Sequence, residues 1–84
     1  MKKLEISIKV KNDYLSPEIK EKWFLMEDLI KERKVGKITY SGASSPTSFI
    51  TIRLEVVNEE ESIKAINKIV EEIEIENGLS IKSI

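Results

Sequence analysis

No cysteine and no histidine occur in the 84 residues. Their absence removes disulfides, thiolate and imidazole metal sites, thiol nucleophiles and the side chain best suited to proton transfer near neutral pH. Aromatic residues are few, one Trp, two Tyr and two Phe, so a broad stacking platform is not expected. No apolar run approaches the roughly 18 residues of a membrane-spanning helix, which excludes a helical membrane span. Neither sign of charge dominates: 14 Lys and Arg face 15 Asp and Glu, for a net charge of -1. A chain-wide excess of cations, the usual mark of phosphate binding, is therefore missing, although a local basic patch is compatible with this balance.

What is present is an order of hydrophobic periods. Residues 3–11 alternate, 16–34 carry helical spacing, 37–41 and 49–57 alternate again, 58–75 return to helical spacing, and a short alternating run starts at 79. The order β-α-β-β-α-β fills the chain and predicts one α+β domain over residues 1–84, a ferredoxin-like split βαβ sandwich. Right-handed crossovers then give a four-stranded antiparallel sheet ordered four, one, three, two, with both helices on one face. With 40% hydrophobic and 35% charged residues, the composition is that of a compact soluble protein.

Local signals agree with this order. Leu4, Ile6, Ile8 and Val10 share one face of the first strand. Ser16 and Pro17 suit the start of the first helix. At 100° per residue, Ile19, Trp23, Met26, Leu29 and Ile30 form its buried stripe; Lys22 falls inside the stripe and must carry its ammonium out to water. Gly36 is expected to supply a left-handed turn after that helix. The second strand is expected to turn Ile38 and Tyr40 inward and Lys37, Thr39 and Ser41 outward. Gly42 to Ser48 forms a hairpin loop of small and turn-forming residues, and Ile50, Ile52, Leu54 and Val56 point inward from the third strand. Asn58 and Glu61 resemble a capping box at the second helix, whose stripe is Ile63, Ile66, Ile69, Val70 and Ile73. Asn77-Gly78 closes that helix. The N-terminal residues are charged at every second position, unlike a signal peptide's apolar segment, and a cytoplasmic location is the expectation.

The acids fall on predicted solvent faces and at helix starts, where they serve solvation and capping. The turn Asn12-Asp13-Tyr14-Leu15 lacks the glycine-rich phosphate loop and catalytic arginine of acylphosphatases, which share this architecture. An ACT-like small-molecule-sensing domain, which shares this element order, is an alternative placed below protein binding, because residues 11–16 lack the glycine at which ligands approach the backbone of ACT regulatory domains. No catalytic residue, cofactor or metal ligand is expected, and the chain reads as non-enzymatic.

Two surfaces stand out as places of contact. Phe24 lies roughly 150° from the centre of its helix's buried stripe, so it projects among Lys20, Asp28 and Lys31 as a candidate protein anchor. The hairpin tip Ser44, Ser45, Pro46, Thr47 and Ser48 is a second candidate contact, and the short fourth strand is an edge open to a partner strand or another copy of the chain. The alternative is the open face of the sheet. There Lys9, Lys11, Lys37, Arg53 and Lys82, with Phe49 as the one expected aromatic, would meet a nucleic-acid backbone.

The stretch from Leu29 through Gly36 and Gly42 into Ile50–Val56, then Asn58-Glu59-Glu60, the Ile63/Ile66/Ile69 stripe and Gly78-Leu79, resembles a group of small bacterial ferredoxin-like proteins, some of immunity-protein type. Its hairpin loop is less glycine-rich than is usual in that group. The resemblance implies stoichiometric binding to a protein partner, as an immunity protein or another inhibitor, and carries over no functional residue.

Overall fold

The computed structural model describes residues 2–9, 17–44, 49–75 and 78–84. Six elements follow in the expected order: β1 (Lys2–Lys9), α1 (Pro17–Glu32), β2 (Lys37–Ser44), β3 (Phe49–Val56), α2 (Glu59–Glu72) and β4 (Leu79–Ser83). The strands form one antiparallel sheet ordered β2-β3-β1-β4. This is the ferredoxin-like α+β arrangement.

Alternation decides which side of the sheet is dry. Leu4, Ile6 and Ile8 of β1 lie opposite Leu54, Ile52 and Ile50 of β3, and all six are at most 1% exposed. Met26 and Ile30 of α1 and Ile66 and Ile69 of α2, each 0% exposed, pack into the same cluster. Both helices therefore cover one sheet face, and the other is open. A buried Leu or Ile side chain contributes about 1.5–3 kcal/mol over its exposed state, so these ten residues dominate the stability of so small a domain.

The helix ends show how the chain turns back on the sheet. Asn58 is extended, at φ -120° and ψ 109°, and its side chain accepts from the Glu61 N–H at 3.1 Å, capping α2 as its sequence predicts. Both helices close with the same device, in which the residue after the cap turns left-handed and two backbone bonds reach back. After α1, Lys34 has φ 52°, with Lys34 N–H donating to the Lys31 carbonyl and Val35 N–H to the Ile30 carbonyl. After α2, Glu74 has φ 54°, with Glu74 N–H donating to Glu71 and Ile75 N–H to Val70.

Lys34, not Gly36, thus makes the left-handed turn. Gly36 is required for a different reason: a Cβ there would lie 2.7 Å from the Glu55 carbonyl oxygen and within 2.9 Å of the Val56 and Leu54 side chains. The chain can enter β2 only by passing this close to β3.

A second correction concerns β2. The register of β2 on β3 slips between Ile38, opposite Leu54, and Tyr40, opposite Arg53. Thr39 is the extra residue of a bulge, and its hydroxyl donates to the Arg53 carbonyl at 3.3 Å. A one-residue slip exchanges the faces of everything after it. Tyr40 therefore stands on the open face beside Arg53, and Ser41 turns to the helix side.

Candidate functional site

The surface of α1 is built from an aromatic pair. Trp23 is half-buried against the core, and its indole Nε1 donates to Ser41 Oγ of β2 at 2.9 Å. The bulge makes this bond possible, because it is what brings Ser41 under the helix. Phe24 stacks on Trp23 with ring centroids 5.2 Å apart and planes 24° from parallel, and is 51% exposed. Leu25, next to it, is 45% exposed. Lys20, Asp28 and Lys31 are exposed around them. The result is an apolar knob, held from behind by a hydrogen-bonded indole and rimmed by charge.

Lys22 resolves its position inside the stripe by crossing to α2, where its ammonium donates to the Glu74 carbonyl at 2.7 Å and lies 3.7 Å from Glu18. That carbonyl belongs to the turn ending α2, a helix with no basic residue in its last turn. A cation from α1 thus sits at the negative end of the α2 dipole. Arg33 adds a forked pair to Glu72 of α2, Nη2 donating to Oε1 at 2.9 Å. The guanidinium beside it holds the Glu72 carboxyl below the usual glutamate range.

The open sheet face carries a row of side chains across all four strands. Arg53 sits 5.4 Å from the centre of the Tyr40 ring and donates from Nε to Glu5 Oε2 at 2.9 Å. Lys82 lies 3.4 Å from the other oxygen of Glu5. The Arg53 hydrogen bond, aided by Lys82, lowers the Glu5 pKa, so Glu5 stays ionised between two cations. Phe49, 39% exposed, is on the same face, opposite Lys9. Lys37 stands there too, opposite Glu55. The alternative nucleic-acid residues of the sequence reading are thus brought together, apart from Lys11, which lies outside the described residues. Tyr40 is the member that the alternating pattern missed.

Ser45, Pro46, Thr47 and Ser48 of the hairpin lie outside the described residues; Ser44 ends β2 opposite Phe49. A surface pocket of about 510 Å³ opens between the end of α1 and the start of α2, lined by Arg33, Lys34, Lys37, Glu55 and Glu61 among others. Three of its polar groups are already used: Arg33 by Glu72, Asn58 as the helix cap, and Ser62, whose hydroxyl donates to the Val35 carbonyl at 3.1 Å. Among the described residues no group of three or more acids converges as a cation site, and no helix is long and apolar enough to cross a membrane. Comparison with protein-family models, with curated proteins and with solved structures finds no match.

Proposed function

We propose that the chain is a non-enzymatic protein-binding module and that α1 is its contact surface. The observation that carries this reading is the exposed Phe24 stacked on a Trp23 that is itself hydrogen-bonded to β2. A binding residue fixed before the partner arrives loses little rotamer entropy on binding, which is what distinguishes an anchor from a chance exposed ring. The adjoining Leu25 widens the apolar centre, and Lys20, Asp28 and Lys31 form a polar rim that shields it from water. Inhibition of a toxin or other enzyme, in the manner of an immunity protein, and pairing with a second copy of the chain are the forms of protein contact that fit a small stoichiometric binder.

The test compares wild type with Phe24→Asp. Thermal melting of the isolated chain should agree within about 1.5 kcal/mol, because the replaced ring is half-exposed and loses only its stacking on Trp23. Affinity capture from the source cells and sedimentation of the purified protein should both be read. A stoichiometric partner or a self-associated form lost in the variant supports the reading. A partner retained at full strength in Phe24→Asp overturns it.

A further inference from the structure

The open sheet face has its own chemistry, independent of α1. Among the described residues it carries five cations, Lys3, Lys9, Lys37, Arg53 and Lys82, against two carboxylates, Glu5 and Glu55, by the pairing of the strands. The whole chain has a net charge of -1, so charge is segregated: positive on the sheet, negative over the helices. A polyanion is drawn to this face and repelled by the opposite one.

Charge alone would suit any acidic partner. The aromatic residues narrow the choice. Tyr40 is 47% exposed and Phe49 39%, on adjacent strands, at positions separated by about 13 Å along β3 at 3.3 Å per residue. Between them the floor is small: Gly42, Thr51, Ser7 and Ser80 pair across the four strands in one row. Gly42 has a specific task, since a Cβ there would come within 2.7 Å of the Tyr40 hydroxyl and 3.1 Å of its ring. Its absence lets the ring lie down over the sheet. Arg53, held by Glu5, lies over the ring 5.4 Å from its centre and steadies it. Two half-open rings flank a low polar floor within a positive field. An acidic peptide has no use for two such separated rings, whereas every nucleobase has a face that stacks on one.

We propose that this face binds single-stranded nucleic acid, with bases stacking on Tyr40 and Phe49 while Lys9, Lys37 and Lys82 meet phosphates. RNA and DNA share this chemistry.

Fluorescence anisotropy with labelled oligo(dT), oligo(rU) and a blunt duplex tests the proposal on the intact chain. Single strands should bind more tightly than duplex, and neutralising about three phosphates gives a slope of about -2 in log affinity against log salt. Tyr40→Ala and Phe49→Ala should each weaken binding by about fivefold to a hundredfold, with Tyr40→Trp restoring it. Lys9→Glu combined with Lys37→Glu should abolish binding while the aromatic pair stays in place. Melting curves confirm that each variant is folded. Phe24→Asp should bind oligonucleotide as wild type does, which keeps this test separate from that of the α1 surface. The proposal is overturned by absence of binding at low salt, or by unchanged affinity in the Tyr40→Ala/Phe49→Ala double variant. Polyglutamate or duplex binding as tightly as the single strand overturns it equally, in favour of an acidic protein partner or plain charge attraction.

Discussion

The two helices pack on the same sheet and end in the same left-handed turn, yet their surfaces differ. α2 begins with a side-chain cap, buries Ile66 and Ile69 completely, and leaves none of its large apolar residues exposed. α1 likewise buries two apolar residues completely, Met26 and Ile30, but leaves Phe24 and Leu25 in water. Its polar side chains also serve α2: Lys22 meets the terminal Glu74 carbonyl, and Arg33 just beyond it holds Glu72. α2 is thus accounted for by folding alone, whereas α1 has apolar surface that folding does not use. Surplus of this kind, fixed in place, is what marks a helix for contact.

The sharpest way to break this comparison is to truncate both helices. Ile69→Ala in α2 should cost about 2–5 kcal/mol, because it opens a cavity in a fully buried site. Leu25→Ala in α1 should stay within about 0.5 kcal/mol. Urea denaturation of the two variants measures the contrast, and similar losses would show that Leu25 belongs to the core after all. Trp23→Ala comes next, at about 3 kcal/mol, since it removes a half-buried indole together with its bond to Ser41. Trp23→Phe should recover the packing but not the hydrogen bond.

The shared feature can be tested as well. A non-glycine residue in the left-handed region costs about 1–2 kcal/mol, part of which glycine forfeits through its freer unfolded chain. Lys34→Gly and Glu74→Gly should therefore each stabilise the protein by about 0.5–1 kcal/mol, read as a higher urea midpoint at unchanged slope. Stabilisation at one site only would break the symmetry of the two turns.

The smallest effect lies in acid. Glu72 and Glu5 are both lowered, chiefly by their arginine hydrogen bonds. Their contribution is complete above the unfolded glutamate value of about 4.3 and is lost as pH falls through the lower folded values. Glu72→Gln and Glu5→Gln should each flatten the acid limb of stability against pH and lower neutral stability only slightly, because both pairs are exposed to solvent screening. An acid limb as steep as wild type in both variants would show that neither pair contributes.

The regular parts of this fold were legible in the sequence because a period needs only near neighbours. β1 and β3 alternate without interruption, the stripe of α2 is clean, and Asn58 caps its helix through a side chain three residues from its target. What was not legible depends on partners far along the chain. The bulge at Thr39 exists because β2 must register with β3, and no local pattern announces it; its effect was to hide Tyr40 among the expected core residues. The turn after α1 misled for a related reason. Gly36 was available to take a positive φ, but the backbone of β3 crowds it, so glycine was needed for space while Lys34 took the strained angle. The exposure of Phe24 followed from the helical wheel. Its support by Trp23 and Ser41 did not, because that bond depends on the same bulge.

The most direct test of the central claim, that α1 carries a prearranged contact surface, is affinity capture with wild type and Phe24→Asp, each verified as folded by its melting curve. The account predicts one stoichiometric partner, or a second copy of the chain, held by wild type and lost from the variant. Equal capture by both folded proteins would contradict it.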